Sequence, residues 1–241
     1  MARVSKAAAA DHRAAIVRAA GRLFRARGLD RVGVAEVTKA AGLTHGGFYG
    51  HFASKEALAV EAIAAAFAEG RTRLEADGLD AYLRGYLSRG HRDHPEEGCP
   101  LPALAAGPAP GVEVADALAA GTRTLVEAIA ARLPAVDGAP DVGRALALTA
   151  LAVGGQVLAR MSAASDRPFS DRLLRETRAL ALDLADEPVR RADEARLPGL
   201  LDLDPAVPQA HEIEAPRCFD ELRFPRQQCE PPVREEVAVR G

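Results

Sequence analysis

The segment that decides the fold is Ala41-Gly42-Leu43-Thr44-His45-Gly46-Gly47-Phe48-Tyr49-Gly50-His51-Phe52-Ala53-Ser54-Lys55-Glu56-Ala57-Leu58. Its pattern predicts the end of one helix, a turn, a short helix and the start of a longer one. Gly42 can close the first helix, and the Thr44 hydroxyl can accept from a first-turn amide of the next. The glycines that follow each cost about 1 kcal/mol in a helix interior. They favour close approach of the backbone to another helix or to a phosphate chain in a major groove.

Two helices are predicted before this turn. Apolar residues recur at helical spacing over Asp11–Arg27 and indicate an amphipathic first helix. The second is predicted over Val34–Ala41, with Gly33 as its N-cap, and the third over Thr44–Phe52. Ser54 is the predicted N-cap of a fourth helix that leads into the rest of the chain.

This arrangement resembles the helix-turn-helix of TetR-family transcriptional regulators. The matching residues are Gly42-Leu43-Thr44, Gly46, Phe48-Tyr49, His51-Phe52 and Ser54-Lys55-Glu56-Ala57-Leu58. The resemblance spans roughly residues 10 to 70, and the sequence departs from the family pattern at Gly33, Thr38 and Gly47. It implies a homodimeric, ligand-responsive regulator, most often a repressor. Its two N-terminal domains would enter successive major grooves of a palindromic double-stranded DNA operator, and a small-molecule effector would bind the larger domain.

The resemblance also implies a set of DNA contacts, and the candidates are Thr44, His45, Gly46, Gly47, Tyr49, His51 and Lys55. A phenol hydroxyl and an ammonium at a helix start both suit phosphate, so Tyr49 and Lys55 are expected to hold the DNA backbone. An aromatic core residue and an exposed lysine are the alternative. His45, at the start of the third helix, is expected to read base edges unless it faces solvent. His51 is expected to pack under the helix or touch a phosphate.

The charge distribution supports a nucleic-acid partner for the N-terminal part. The 241-residue chain has a formal net charge of -3, but residues 1–55 carry ten Lys and Arg against three Asp and Glu. This end is therefore net +7 and the remainder net -10. A basic face without a partner is equally compatible with charge alone. Charge and motif together favour DNA.

The composition favours an all-α fold. The chain is 48% hydrophobic but only 4% aromatic, lacks tryptophan and is rich in alanine, which favours helix over strand. No apolar run is expected to approach the roughly 20 residues of a membrane span, and no secretory signal is visible. A cytoplasmic protein is therefore expected. The three cysteines form no even framework and no CxxC pair, which argues against a disulfide scaffold or a zinc ribbon.

Three regions are predicted. Residues 1–55 form a three-helix DNA-binding domain, whose connecting helix runs to about residue 75. Residues 76–187 form a larger helical domain for effector binding and dimerisation, with a loop over His91–Gly98. Its helices are predicted over about Val112–Leu133, Asp141–Ala163 and Phe169–Ala185, the second of them apolar on almost every face and therefore buried on all sides. Residues 188–241 hold eight of the sixteen prolines and are predicted to be a disordered tail.

The effector pocket that the resemblance implies has its candidate residues in the larger domain, namely Tyr86, Cys99, Leu104, Gln156 and Arg160. Gln156 and Arg160 are polar residues on an apolar helix, so they either line a ligand cavity or bond across the dimer. His91, Asp93, His94 and Cys99 resemble a metal-ligand set by residue type, but Pro95 ends the helix that His-x-x-His would need, and no metal is predicted.

Catalysis has little support. No Ser-His-Asp order, phosphate-binding glycine loop or carboxylate pair stands out, so neither a catalytic residue nor a cofactor is predicted. A helical enzyme or binding protein with an incidental basic module remains the alternative of a different class.

Cys99 has two interpretations. It follows Gly98 and opens a short apolar element, where a helix N-terminus lowers a thiol pKa, and some TetR-family sensors of electrophiles or oxidants carry a cysteine after glycine near this point. The other interpretation is a buried, inert residue in a pocket wall. Glu96 and Glu97 also oppose thiolate formation.

Overall fold

The computed structural model describes residues 6–43, 47–104 and 110–186, all within one compact unit. Within these ranges the chain is helical and forms no strand, apart from an isolated backbone bridge between Val136 and Ala139. The helices are α1 (Lys6–Arg27), α2 (Val34–Ala40), α3 (Lys55–Tyr86), α4 (Arg89–Asp93), α5 (Pro100–Leu104), α6 (Val112–Ala130), α7 (Val142–Ser162) and α8 (Arg167–Asp186). The predicted all-α class is confirmed.

The first half of the bundle is built around α3. Its N-terminal part packs on α1, and it also contacts α6. Ile16, Ala20 and Phe24 of α1 are buried with Leu58 and Ile63 of α3, as the apolar face of the predicted first helix requires. Helix α1 begins earlier than predicted because the alanines at 7–10 favour helix.

Helix α3 extends from Lys55 to Tyr86 across the predicted junction between the two domains and is kinked at Gly78. The φ of Gly78 is 79°, in the left-handed region that favours glycine. The Ser54 side chain caps it by accepting from Ala57 N at 3.0 Å, which confirms the predicted N-cap. The domain division at residues 55 and 76 stays a prediction.

The predicted loop over His91–Gly98 is wrong in part. Residues 89–93 form α4, capped by the Ser88 side chain, and Pro95–Glu97 form a 3-10 turn. Long-range bonds hold this short helix: the buried Arg92 guanidinium donates to Ser170 Oγ and Asp171 Oδ1 of α8, both at 2.7 Å. Partners nearly eighty residues away stabilise an element too short to form by itself.

The apolar helix was predicted to need a partner subunit for burial on all sides, and in the single chain it is buried only in part. Helix α7 packs on α8, and Gly155 allows this contact because a β-carbon there would lie 2.6 Å from Thr177 Cγ2. The opposite face of α7 leaves Leu146, Leu158 and Met161 more than half exposed. This apolar face is unpartnered in the single chain.

By length and composition α7 is long and apolar enough to cross a membrane, contrary to the sequence expectation. Its most apolar 18-residue window has a mean hydropathy of 1.5, and 44% of that window is buried inside the protein. The helix also carries the buried polar residues Arg144, Thr149 and Gln156, which find hydrogen-bond partners in the chain. Core helices of soluble proteins also reach this length and hydropathy, so the composition of α7 is weak evidence of a membrane span.

Candidate DNA-binding surface and internal cavity

The turn after α2 closes as the sequence predicted. Gly42 has a φ of 73°, its N–H donates to Lys39 O at 3.1 Å, and the Leu43 N–H donates to Thr38 O at 2.8 Å. This pair of bonds is a Schellman motif, in which a left-handed residue stops the helix and satisfies its last carbonyls. At the other end of α2, Gly33 is the N-cap without a side-chain bond, also as predicted.

Residues 47–52 place one aromatic ring inside and the next outside. Phe48 is fully buried and stacks on Phe52 with ring centroids 5.7 Å apart. Tyr49 meets Phe48 edge to face at 5.2 Å yet leaves 65% of its surface exposed. The alternative role for Tyr49 was that of an aromatic core residue. Phe48 has that role, and Tyr49 faces outward.

The described part of the predicted third helix forms turns rather than a regular α-helix. Phe48 O accepts from His51 N at 2.8 Å and from Phe52 N at 3.0 Å, which gives one helical turn. Gly47 and His51 are half-buried beside it. The remaining candidates of this helix, Thr44, His45 and Gly46, lie outside the described residues.

Lys55 stands at the first residue of α3, directly after the Ser54 cap, and is half-buried. The N-terminal end of a helix carries partial positive charge and unpaired N–H groups, so it favours anions. A lysine at this position adds a full charge to the same end. Lys55 and Tyr49 are therefore both available to a phosphate chain.

Two arginines of the basic N-terminal part serve the fold. Arg13 lies over the Phe52 ring at 4.6 Å and pairs with Glu61, whose hydrogen bond raises the pKa of the guanidinium. Arg27 pairs with Glu36 and so links α1 to α2. These internal pairs neutralise part of the predicted positive charge.

A cavity of about 300 Å³ lies between α3, the segment 90–100 and α6. Its wall residues include Phe67, Gly70, Arg73, Asp77, Tyr82, Tyr86, His91, His94, Glu97, Cys99, Pro100 and Leu125. Of the predicted pocket residues, Tyr86 and Cys99 are brought together here. Leu104 does not line this cavity but a second one, of about 410 Å³, beside Arg25–Arg31.

Gln156 and Arg160 lie behind the cavity wall and hold its backbone. The fully buried Gln156 amide donates to Tyr86 O and, at 3.3 Å, to Ser88 O. Arg160 Nη2 donates to His91 O at 2.8 Å. Neither lines the first cavity. Their remaining polar atoms, Gln156 Oε1 and Arg160 Nε and Nη1, are buried without a hydrogen-bond partner among the described residues.

His91 was predicted to lie in a loop, but it belongs to α4 and lines the cavity. Its Nδ1 lies 2.8 Å from Tyr86 O, and its Nε2 accepts from Cys99 N at 2.9 Å. Both ring nitrogens are thus used, with the proton on Nδ1, and neither is available to a metal. Burial, with Arg160 as the next cause, lowers the pKa of His91 to about 4. The ring also explains Gly98, because a β-carbon there would clash with it.

Of the two interpretations of Cys99, the structure favours the buried residue in a pocket wall. Burial raises the pKa of Cys99, while the Tyr86 hydroxyl and the Leu101 N–H lower it by less. The amide at the start of α5 therefore acts in the predicted direction, but burial outweighs it. Among the described residues no group of three metal-binding side chains exists.

The segment 94–99 touches both the cavity and α1. Arg25 of α1 donates from Nε and Nη2 to Glu96 O, at 3.0 and 2.6 Å, and Arg22 pairs with Glu97 at 3.2 Å. On its other side the same segment supplies His94, Glu97 and Cys99 to the cavity wall. Arg25 and Glu96 lie 71 positions apart in the chain, so no local pattern could have revealed this contact.

Comparison with known proteins agrees with this geometry. Residues 16–62 match the family described as bacterial regulatory proteins, tetR family. The fold is similar to that of the reduced form of E. coli NemR, at 24% identity and a TM-score of 0.61, covering 74% of this chain and 100% of that one. It is also similar to TylP, a TetR regulator from Streptomyces fradiae, at 22% identity and a TM-score of 0.52, covering 75% and 81%. Comparison with curated protein sequences gave no match.

The Schellman-closed turn, the exposed Tyr49 and the helical bundle behind them define a DNA-binding protein of the helix-turn-helix class. Residues 16–62 match the DNA-binding segment of the TetR family, and the fold of the chain is that of TetR-family transcriptional regulators. The resemblance seen in the sequence is confirmed.

Proposed function

We propose that this protein is a homodimeric repressor that binds a palindromic operator and is released from it by a small molecule. The observation that carries the proposal is the outward-facing Tyr49 beside the buried Phe48. An exposed phenol there and the Lys55 ammonium at the first residue of α3 both suit contact with phosphate. The family relation favours a regulator over an enzyme and favours a cytoplasmic location.

The exposed stripe on α7 supports a dimer. Val142, Leu146, Leu158 and Met161 follow one another at helical spacing, and Gly154 among them has open space around its α-carbon. Phe169 and Leu180 of α8 are also half exposed. Two such helix pairs from two copies would bury these side chains in a four-helix interface, since an exposed apolar patch of this kind marks an association surface.

The shared segment 94–99 supports a ligand response. A molecule in the cavity would press on His94, Glu97 or Cys99. Glu96 lies in the same short segment, and its carbonyl accepts from Arg25 of α1. A displacement at the cavity wall would therefore reach the helix that supports the DNA-binding domain. This gives the effector a physical route by which to bias operator binding.

Thiol sensing through Cys99 is the alternative regulation that the sequence raised. The sulfur lies in the cavity wall, which favours it, but burial raises the pKa of the thiol and so lowers the thiolate fraction that reacts. A reversibly bound effector is therefore the preferred form of the proposal.

Phosphate contact is tested by Tyr49→Phe and Lys55→Ala. Each variant should bind every duplex more weakly by a similar factor, because phosphate contacts position the protein without reading sequence. The lysine change should also lower the slope of log affinity against log salt by about 1. Affinities would be measured over a salt series on an operator and on an unrelated duplex.

The matched control is Arg123→Ala, which removes an exposed cation from α6, outside residues 1–55. It should leave both affinity and salt slope unchanged. A changed sequence preference in either test variant would contradict the phosphate assignment, and so would a loss of the same size in the control.

A further inference from the structure

We propose that the 300 Å³ cavity takes neutral, flat aromatic molecules that carry a hydrogen-bond acceptor oxygen, and that the Tyr82 hydroxyl donates to this oxygen. The regulatory meaning of such a ligand rests on the proposed function, but the binding itself does not. A volume of this size is at the low end for small-molecule sites and suits a two-ring molecule.

The wall concentrates aromatic rings in a chain that has few. The sequence holds three tyrosines, seven phenylalanines and no tryptophan, and two of the tyrosines line this cavity together with Phe67. The Tyr82 and Tyr86 rings lie 5.9 Å apart, and the Tyr86 and His91 rings lie 4.4 Å apart. Aromatic rings tilted against one another in the wall favour a flat aromatic ligand over a branched aliphatic one.

The charges of the wall favour a ligand without net charge. Arg73, Asp77, His94 and Glu97 are exposed and stand at the opening, and His91 is neutral at pH 7 because both its nitrogens are hydrogen-bonded and it is buried. The deeper wall consists of Phe67, Tyr86, Cys99, Pro100 and Leu125. A charged ligand group there would lose water and meet no ion partner in the wall itself, because Arg25 and Arg160 lie behind it and donate to the Glu96 and His91 carbonyls.

Two tyrosines line the cavity, but one hydroxyl is open and the other is enclosed. Tyr86 Oη is completely buried, meets the geometric criteria for a hydrogen bond with no described residue, and interacts only weakly with the Cys99 thiol. The Cys99 thiol beside it is a weak acceptor. Tyr82 keeps part of its surface exposed and makes no hydrogen bond to a described residue. Burial raises the pKa of its hydroxyl, so the group stays protonated as a donor inside the cavity wall. Tyr82 is therefore the donor that a ligand can reach.

The probes for the test are 2-acetylnaphthalene and 2-ethylnaphthalene, which differ by a carbonyl in place of a methylene. Titration calorimetry of the full chain without DNA should give about tenfold tighter binding of the ketone, the size expected for one hydrogen bond in a dry site. Tyr82→Phe should remove this preference by weakening the ketone alone. Tyr86→Phe, the matched control, should keep it.

The proposal is overturned if neither naphthalene binds, if the preference for the ketone survives Tyr82→Phe, or if it is lost in Tyr86→Phe. It is also overturned if 2-naphthoate or 2-naphthylmethylammonium binds as tightly as the ketone. Operator binding by the ligand-free protein, measured on the same preparations, separates this failure from a failure of the proposed function, because the ligand-free protein is the form proposed to bind the operator.

Discussion

Leu158→Asp should convert the protein from a dimer to a monomer and lower its affinity for a two-half-site operator at least about a hundredfold, because bivalent binding is lost. Leu158 is 52% exposed in the single chain, between Gly154 and the 71% exposed Met161 on the same stripe of α7. A carboxylate at the centre of an apolar interface would be buried without a partner. Sedimentation and operator titration at matched concentrations measure both effects.

The fold of a single chain should tolerate this change, since an exposed substitution usually shifts stability by no more than about 0.5 kcal/mol. Val112→Asp is the control, because Val112 is 77% exposed but lies at the start of α6, away from the stripe. It should remain a dimer with normal affinity. A dimeric Leu158→Asp protein, or a monomeric Val112→Asp protein, would show that the interface lies elsewhere.

His91 should make the free energy of unfolding strongly dependent on pH between 6.5 and 4. Burial holds its pKa at about 4 in the folded protein, below its ordinary value of 6.5, so folding favours the neutral ring. The contribution is fully present above pH 6.5 and is lost as the pH falls toward 4. Its size is on the order of 3 kcal/mol, because one pKa unit corresponds to about 1.4 kcal/mol.

Urea unfolding of the wild type and His91→Gln over this pH range isolates the effect. The glutamine variant should be less stable at pH 7 but should lose less stability on acidification, because Gln cannot gain the proton that breaks the bond from Cys99 N. His94→Gln, which changes an exposed histidine of the same segment, should follow the wild type. Parallel curves for the wild type and His91→Gln would contradict the buried neutral His91.

Most helix positions were predictable because capping residues and glycines mark the helix ends. Gly33 and Gly42 bound α2, Ser54 opens α3, and Asp141 accepts from Arg144 N to start α7 close to its predicted bound. Each of these signals acts within four residues of the helix end, so the sequence alone carries it.

The cavity wall was less predictable because its bonds are long-range. Tyr86 and Cys99 were predicted as pocket residues and do line the cavity. Gln156 and Arg160 were predicted as pocket residues too, but they donate hydrogen bonds to carbonyls about seventy positions away. The thiol pKa of Cys99 was predicted from the local helix start, whereas burial by the whole bundle decides its direction. Depth of burial is a property of the fold, and a short string such as Gly98-Cys99 does not contain it.

The most direct test of a dimeric helix-turn-helix regulator is to let the full-length protein select duplexes from a random pool and to sequence them. We expect two inverted half-sites whose centres lie about one helical turn, or a whole number of turns, apart, because a two-fold symmetric dimer places its two reading helices in successive major grooves. His45→Ala should then relax the preference at one or two base pairs of each half-site. No enrichment, or a single half-site without inverted symmetry, would contradict a dimeric helix-turn-helix regulator.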